Sequence, residues 1–159
     1  YILSRDSNST LILSPDALKL SLSRYLSKFR LVSDAIDILD ASIINIGLNY
    51  TVTIKQEAIP TVVIAAINGK LSSYLNVENY QIDQPIKIGE VENLILNTPD
   101  VEAVTNLTFV GKTGTEGSNI YSNYSYDPGR NVDRGFLFPP VGGIFELKYP
   151  GTDLVGRIS

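Results

Sequence analysis

The chain predicts an α+β fold, a two-layer sandwich with a helix-strand-strand-helix-helix-strand core, and three observations point there. Residues 43–54 alternate apolar and polar side chains with a period of two, the mark of a long strand with one buried and one wet face. Apolar side chains in residues 18–29 and 63–75 recur instead at helical spacing. The two kinds of pattern are interleaved along 159 residues, 43% hydrophobic and 19% charged, which is room for one compact domain with an ordinary core.

Taken in order, residues 10–13 read as a short strand leading into the first helix. Ser14-Pro15-Asp16 supplies an N-cap, a proline suited to the first turn and an acid that complements the positive helix start. Leu18, Leu22, Tyr25, Leu26 and Phe29 then mark one apolar face. Residues 35–39 read as the hairpin partner of the long strand, turned through Asp40-Ala41-Ser42. Pro60 opens a second helix with Val63, Ile67, Leu71 and Leu75 on one stripe and Tyr74 beside it. A third helix follows Gln84-Pro85, with Gly89 as its cap and Ile88, Val91, Leu94 and Ile95 as its apolar side. Asn97-Thr98-Pro99-Asp100 stops it, and residues 101–110 read as another strand, closing a core domain over residues 1–110.

Residues 111–159 read as an aromatic, glycine-rich loop and a C-terminal β extension packed on the same domain. Residues 111–140 hold five glycines and three prolines and show no sustained period. Irregular stretches of that length inside a domain usually carry function or meet a partner. Residues 143–149 alternate again, Pro150-Gly151 suits a type II turn, and Leu154, Val155 and Ile158 read as a last strand.

Composition excludes several chemistries. The chain has no Cys, Met, Trp or His. It therefore has no thiolate nucleophile, disulfide or zinc ribbon, and no imidazole base or Ser-His-Asp triad. Thirteen Lys and Arg against seventeen Asp and Glu leave a net charge of −4, which argues against a nucleic-acid binder. No run is long and apolar enough for membrane insertion or a signal peptide. A chain that starts at Tyr1 without any Met reads as a piece of a longer protein. Sequons at Asn8, Asn49, Asn106 and Asn123 are expected by chance in a chain this rich in Asn, Ser and Thr.

Motifs with possible chemistry are few. Gly111-Lys112-Thr113 matches the end of a phosphate loop, but Asn106 stands where the motif needs its first glycine and no helix follows. Asp34, Asp37 and Asp40 recur every third residue, which falls short of the six or more oxygens a hard cation needs. Glu90 and Glu92 suit a helix start. No nucleophile–base pair stands out, so the expectation is no enzyme, no cofactor and no metal. The most suggestive feature is the aromatic cluster Tyr121, Tyr124, Tyr126, Phe136 and Phe138 with Arg130 and Arg134, since aromatics and Arg dominate interface hot spots. Beside Asp127 and Asp133, the two arginines read equally as an interface ion cluster or as loop solvation.

Three stretches carry a resemblance. Tyr25-Leu26-Ser27-Lys28-Phe29-Arg30, Val32-Ser33-Asp34-Ala35-Ile36-Asp37-Ile38-Leu39 and Ile43-Ile44-Asn45-Ile46-Gly47 form the first. The second holds the Pro60 helix, Tyr74-Leu75, Pro85-Ile86 and the unit over residues 95–104. The third is Phe145-Glu146-Leu147-Lys148-Tyr149-Pro150 with Asp153-Leu154-Val155-Gly156-Arg157. Together they resemble the C-terminal part of baseplate wedge proteins of contractile-tailed phages, the T-even gene-six type within the baseplate J-like family. The resemblance implies a structural virion component of the tail baseplate, assembled in the host cytoplasm and without catalysis. It implies a homodimer that also meets other wedge proteins and links wedges into a ring around the tail hub. The alternative from a different class is a carbohydrate- or receptor-binding module of an adhesin-like protein, which the exposed tyrosines and Asn-rich loops would suit.

Overall fold

The computed structural model describes residues 1–29 and 35–159, so Asp34 and the Arg30-to-Ser33 stretch of the resemblance lie outside the described residues. Two-residue strands β1 (Ser4–Arg5) and β2 (Leu11–Ile12) pair antiparallel and precede helix α1 (Asp16–Ser27). The long strand β3 (Ser42–Ile54) leads to α2 (Pro60–Tyr74), β4 (Ile86–Lys87), α3 (Ile88–Leu96) and β5 (Val101–Lys112). Short strands follow: β6 (Thr115–Glu116), β7 (Asn119–Ile120), β8 (Val132–Asp133) and β9 (Phe136–Leu137). The chain continues through β10 (Gly143–Glu146), a single helical turn α4 (Pro150–Asp153) and β11 (Leu154–Ile158). Helix and sheet are mixed, consistent with α+β.

Strand β3 is the axis of the main sheet. Strand β5 runs antiparallel along one edge, with register shifts at Thr51/Val52 and Thr53/Ile54. The opposite edge is shared by two parallel strands, β10 beside Ser42 to Asn45 and β11 beside Leu48 to Val52. Ile44, Ile46, Leu48, Tyr50 and Val52 project from one face of β3 and are buried among Val63, Ile67 and Leu71 of α2 and Val91 and Ile95 of α3. Each fully buried aliphatic side chain contributes about 1.5–3 kcal/mol, so this face decides the fold over local propensity. The one polar tip in the row is satisfied, because the Tyr50 hydroxyl donates to Asn68 Oδ1 at 2.7 Å.

Several expectations need correction. Residues 35–39 form no strand; both edges of β3 are filled by β5, β10 and β11, and Asp40 instead bridges to Ile2. The core is therefore not a helix-strand-strand start, and the presumed C-terminal extension supplies one edge of the main sheet. Helix α1 forms where expected but buries no residue, because α2 and α3 already cover the apolar sheet face. Ser14 does not cap it; its hydroxyl bonds Ser4 Oγ at 2.9 Å.

Strand β3 also lacks a uniformly wet second face, since Asn45 and Gly47 are buried. A Cβ at Gly47 would press on the Asp153 carbonyl oxygen at 2.9 Å, so the α4 turn closes over that position. Strand β10 is buried at all four residues, as a parallel strand covered on both faces must be. Lys87, not Gly89, is the N-cap of α3. Pro150-Gly151 begins α4 and is not a type II turn.

Two glycines make a test of this packing. A Cβ at Gly111 would overlap the backbone carbonyl of Tyr126, whereas one at Gly69, inside α2, meets nothing within 4 Å. Gly111→Ala is expected to destabilise by about 1–3 kcal/mol through overpacking. Gly69→Ala is expected to stabilise by about 0.5–1 kcal/mol through helix propensity. Urea-unfolding midpoints compare the two, and equal or reversed shifts would contradict the seat of the Tyr126 segment on β5.

Candidate interaction surface

The aromatic segment after β5 is irregular, as expected, yet inward-facing side chains hold it down. Tyr121 keeps only 5% exposure, donates to Asp153 Oδ1 at 2.6 Å, and meets Tyr149 edge to face at 5.3 Å. Ser122 clamps the next turn of chain to β3: its N–H donates to Asn45 Oδ1 at 2.7 Å and its hydroxyl to the Ile43 carbonyl at 2.6 Å. The Tyr126 ring stands edge-on to Phe145 at 5.6 Å, and its hydroxyl donates to the Phe138 carbonyl at 2.6 Å. Leu137 is fully buried and lies in β9, which pairs with β4.

Alternation then fixes what the arm shows to solvent. Strands β8 and β9 form a hairpin whose two-residue loop, Arg134-Gly135, has both φ values positive (48° and 82°). That is the backbone of a type I′ turn, which matches the twist of the strands it joins. The Gly135 carbonyl accepts from the Ile88 N–H at 2.9 Å, so the hairpin tip also caps the start of α3. With Leu137 pointing in, Phe136 and Phe138 flank it with rings 6.1 Å apart. Phe138 is 43% exposed and Tyr124 40% exposed, and Val132 adds apolar surface. Arg130 and Arg134 are exposed; Arg130 Nε pairs with Asp127 Oδ2 at 3.2 Å, while Asp127 Oδ1 accepts from the Gly129 N–H.

The seven residues expected at an interface therefore divide. Tyr121 and Tyr126 anchor the arm from within, Phe136 is half-buried, and Tyr124, Phe138, Arg130 and Arg134 face solvent.

The other sequence motifs are absorbed locally. Lys112 Nζ bonds Glu116 at 2.6 Å and lies over the Tyr121 ring, and Thr113 Oγ1 donates to the Ser122 carbonyl. Asp40 pairs with Lys19 at 2.6 Å, and Glu90 with Lys87 at 2.8 Å and the Tyr74 hydroxyl at 2.7 Å. Among the described residues no group of three carboxylates gathers as a metal site would require. A shallow, open groove between α2 and α3 is lined by Ala65, Gly69, Lys70, Ser73, Tyr74 and Asn97; its serine and lysine both face backbone carbonyls, Ser73 donating to Gly69 at 3.0 Å and Lys70 to Asn97 at 2.9 Å.

Sequence reasoning missed a buried polar pair of clusters beneath the arm. Glu146 accepts from the Leu11 N–H at 2.9 Å and from Asn45 Nδ2 at 2.7 Å; Asp153 accepts from Tyr121 and from the Tyr149 N–H at 3.0 Å. The available signal was a carboxylate inside the apolar run Ile144-Phe145-Glu146-Leu147.

Compared with known proteins, the chain matches no protein-family model, and no curated protein matches it. Among the described residues no helix is long and apolar enough to cross a membrane.

Burial raises the Tyr121 phenol above its usual value, and the hydrogen bond to Asp153 adds to the shift. Tyr121→Phe is expected to destabilise by about 1–3 kcal/mol, because Asp153 Oδ1 loses its donor while buried; unchanged stability in chemical denaturation would contradict the anchor. Burial also pushes the phenols of Tyr50, Tyr80 and Tyr126 up to about 12. An unfolded tyrosine ionises near about 10, so the folded chain retains protons that the unfolded chain releases. This contribution to stability is whole below about pH 10 and is expected to drain away as pH rises toward about 12. Unfolding free energies measured across that interval check it, and a flat profile would contradict the burial of these phenols.

Proposed function

We propose that the chain is a structural, self-associating module, the C-terminal part of a baseplate wedge protein of a contractile-tailed phage, with no catalytic role. On this reading it is a two-layer sandwich in the tail baseplate, assembled in the host cytoplasm. It pairs with itself and with other wedge proteins to join wedges into a ring around the hub. The observation that carries the reading is the arm: Tyr121, Tyr126 and Leu137 fix it from inside while Tyr124, Phe138, Arg130 and Arg134 are presented outward. Preordered aromatics bury much area at low entropic cost, and with Arg they are the side chains most enriched where binding energy concentrates. The resemblance of the three sequence stretches supplies the wedge assignment. It agrees with a chain lacking Cys and His.

The test is sedimentation velocity over a concentration series. The wild-type chain is expected to self-associate, and Tyr124→Ala with Phe138→Ala to weaken that association about tenfold or more, a hot-spot-sized loss. A wild-type chain that stays monomeric, or one that associates equally well with both aromatics removed, would overturn the arm's role. Reproducible glycan binding by a monomer would favour the sugar-binding alternative.

A further inference from the structure

Strand β5 is held along one side only. The Ser42 N–H donates to the Gly142 carbonyl at 2.8 Å and the Ser159 N–H to the Val52 carbonyl at 3.0 Å, so the even-numbered residues of β3 turn their main-chain groups toward β10 and β11. The odd-numbered residues therefore serve β5, and the Thr51 carbonyl also accepts from Thr105 Oγ1 at 3.2 Å. Their partners Asn106, Thr108, Val110 and Lys112 turn back toward β3, which leaves the N–H and C=O groups of Leu107 and Phe109 pointing away from it. Among the described residues no strand lies on that outer side, and none of the loop or side-chain hydrogen bonds reaches those four groups. Natural sheet edges are usually guarded by a charge, a proline or a bulge. The register shift at Thr51/Val52 guards the start of β5, and the Tyr126 carbonyl seated against Gly111 closes its end. Between them Asn106-Leu107-Thr108-Phe109-Val110 carries no charge, proline or glycine.

We propose that this edge pairs with the same edge of a second copy, antiparallel about a two-fold axis through Thr108. This deepens the self-association reading and rests on it, but names the contact that makes the pair. Only a centre at Thr108 uses the whole unguarded run, since a shift either way brings in the bulge or the seat at Gly111. In that register Leu107 of each copy lies opposite Phe109 of the other, and each such pair exchanges two main-chain hydrogen bonds. All the outward groups are then satisfied. The side chains match as well. Leu107 and Phe109 lie on the core face, opposite Tyr50 and Leu48 of β3, so apolar meets apolar there. On the other face Asn106 meets Val110 and Thr108 meets Thr108, a favourable cross-strand pair. Like charges are not brought together: Glu102 and Lys112 fall beyond the paired run, and Lys112 is already held by Glu116. The two sheets become one, with the helices of both copies on the same face. Main-chain bonds supply the affinity, as in strand addition generally. The Pro128–Arg130 turn packs on β5, so the arm borders this edge and adds to it toward the roughly 1,200–2,000 Å² of a specific interface.

Amide hydrogen exchange reads the alternation directly. In dilute monomer the Leu107 and Phe109 amides are expected to exchange at least about tenfold faster than those of Asn106, Thr108 and Val110, which are bonded to β3. At concentrations where sedimentation velocity shows the dimer, the two fast amides are expected to become protected and the other three to stay as they were. Thr108→Lys sets two ammonium groups opposite each other and is expected to weaken association about tenfold or more, and Thr108→Glu to do the same. Mixed in equal amounts, the two variants are expected to associate at least as tightly as wild type, because a centre at Thr108 places the lysine against the glutamate. A dimer that leaves the Leu107 and Phe109 amides fast, or a Thr108→Lys chain that associates like wild type, overturns the edge and leaves self-association standing. Variants that are each monomeric and stay so when mixed overturn the register, and so does protection of the two amides already in the monomer. A wild type that is monomeric at every concentration overturns both the edge and the reading beneath it.

Discussion

The buried carboxylate of Glu146 is the constraint around which the rest is organised. A carboxylate removed from water is costly unless its oxygens receive hydrogen bonds. Here the donors are the backbone N–H of Leu11 and the side-chain amide of Asn45, and among the described residues no Lys or Arg pairs with it. Asn45 is oriented in turn, since its remaining oxygen accepts from Ser122. One polar network therefore fixes four stretches of chain against each other: the N-terminal hairpin, the central strand, the arm and strand β10. An apolar core specifies that side chains meet; this network specifies which ones, because any shift in register leaves a buried acceptor without a donor.

The second buried acid extends the same logic to the surface. Asp153 holds Tyr121 from below, and Tyr126 is held by the Phe138 carbonyl, so the irregular arm is ordered by polar contacts on its inner side. Its outward aromatics are thus displayed on a fixed backbone. A partner that binds such a surface does not have to order it first, which is where much of the cost of association usually falls.

What was legible in the sequence follows from which interactions are local. The β3 alternation, the α2 stripe and the stop after α3 are set within a few residues, and all three are found where the pattern puts them. The partner of β3 is another matter. Residues 35–39 are adjacent and apolar enough to pair, but the edges went to strands far along the chain, a competition that periodicity does not report. The α1 stripe shows the converse: helical spacing identified the helix, but spacing says nothing of whether another element has taken the sheet face. In the candidate surface, residue type marked the aromatic cluster, but its inward members are set by distant partners, Tyr121 by Asp153 and Leu137 by its pairing with Ile86, and the turn that leaves Phe136 and Phe138 on either side of Leu137 puts a positive φ on Arg134, a residue that seldom adopts one.

The divided edge of the main sheet has a consequence for biosynthesis. Strand β11 pairs with a part of β3 made on the order of a hundred residues earlier, a highly non-local contact of the kind that slows folding. Until residues 143–158 are in place, β3 can hold β5 but has no strand along its other edge. Until then that side of β3 is an edge of unpaired backbone groups, the kind of surface that invites mispairing, and it is sealed only when both late strands have docked.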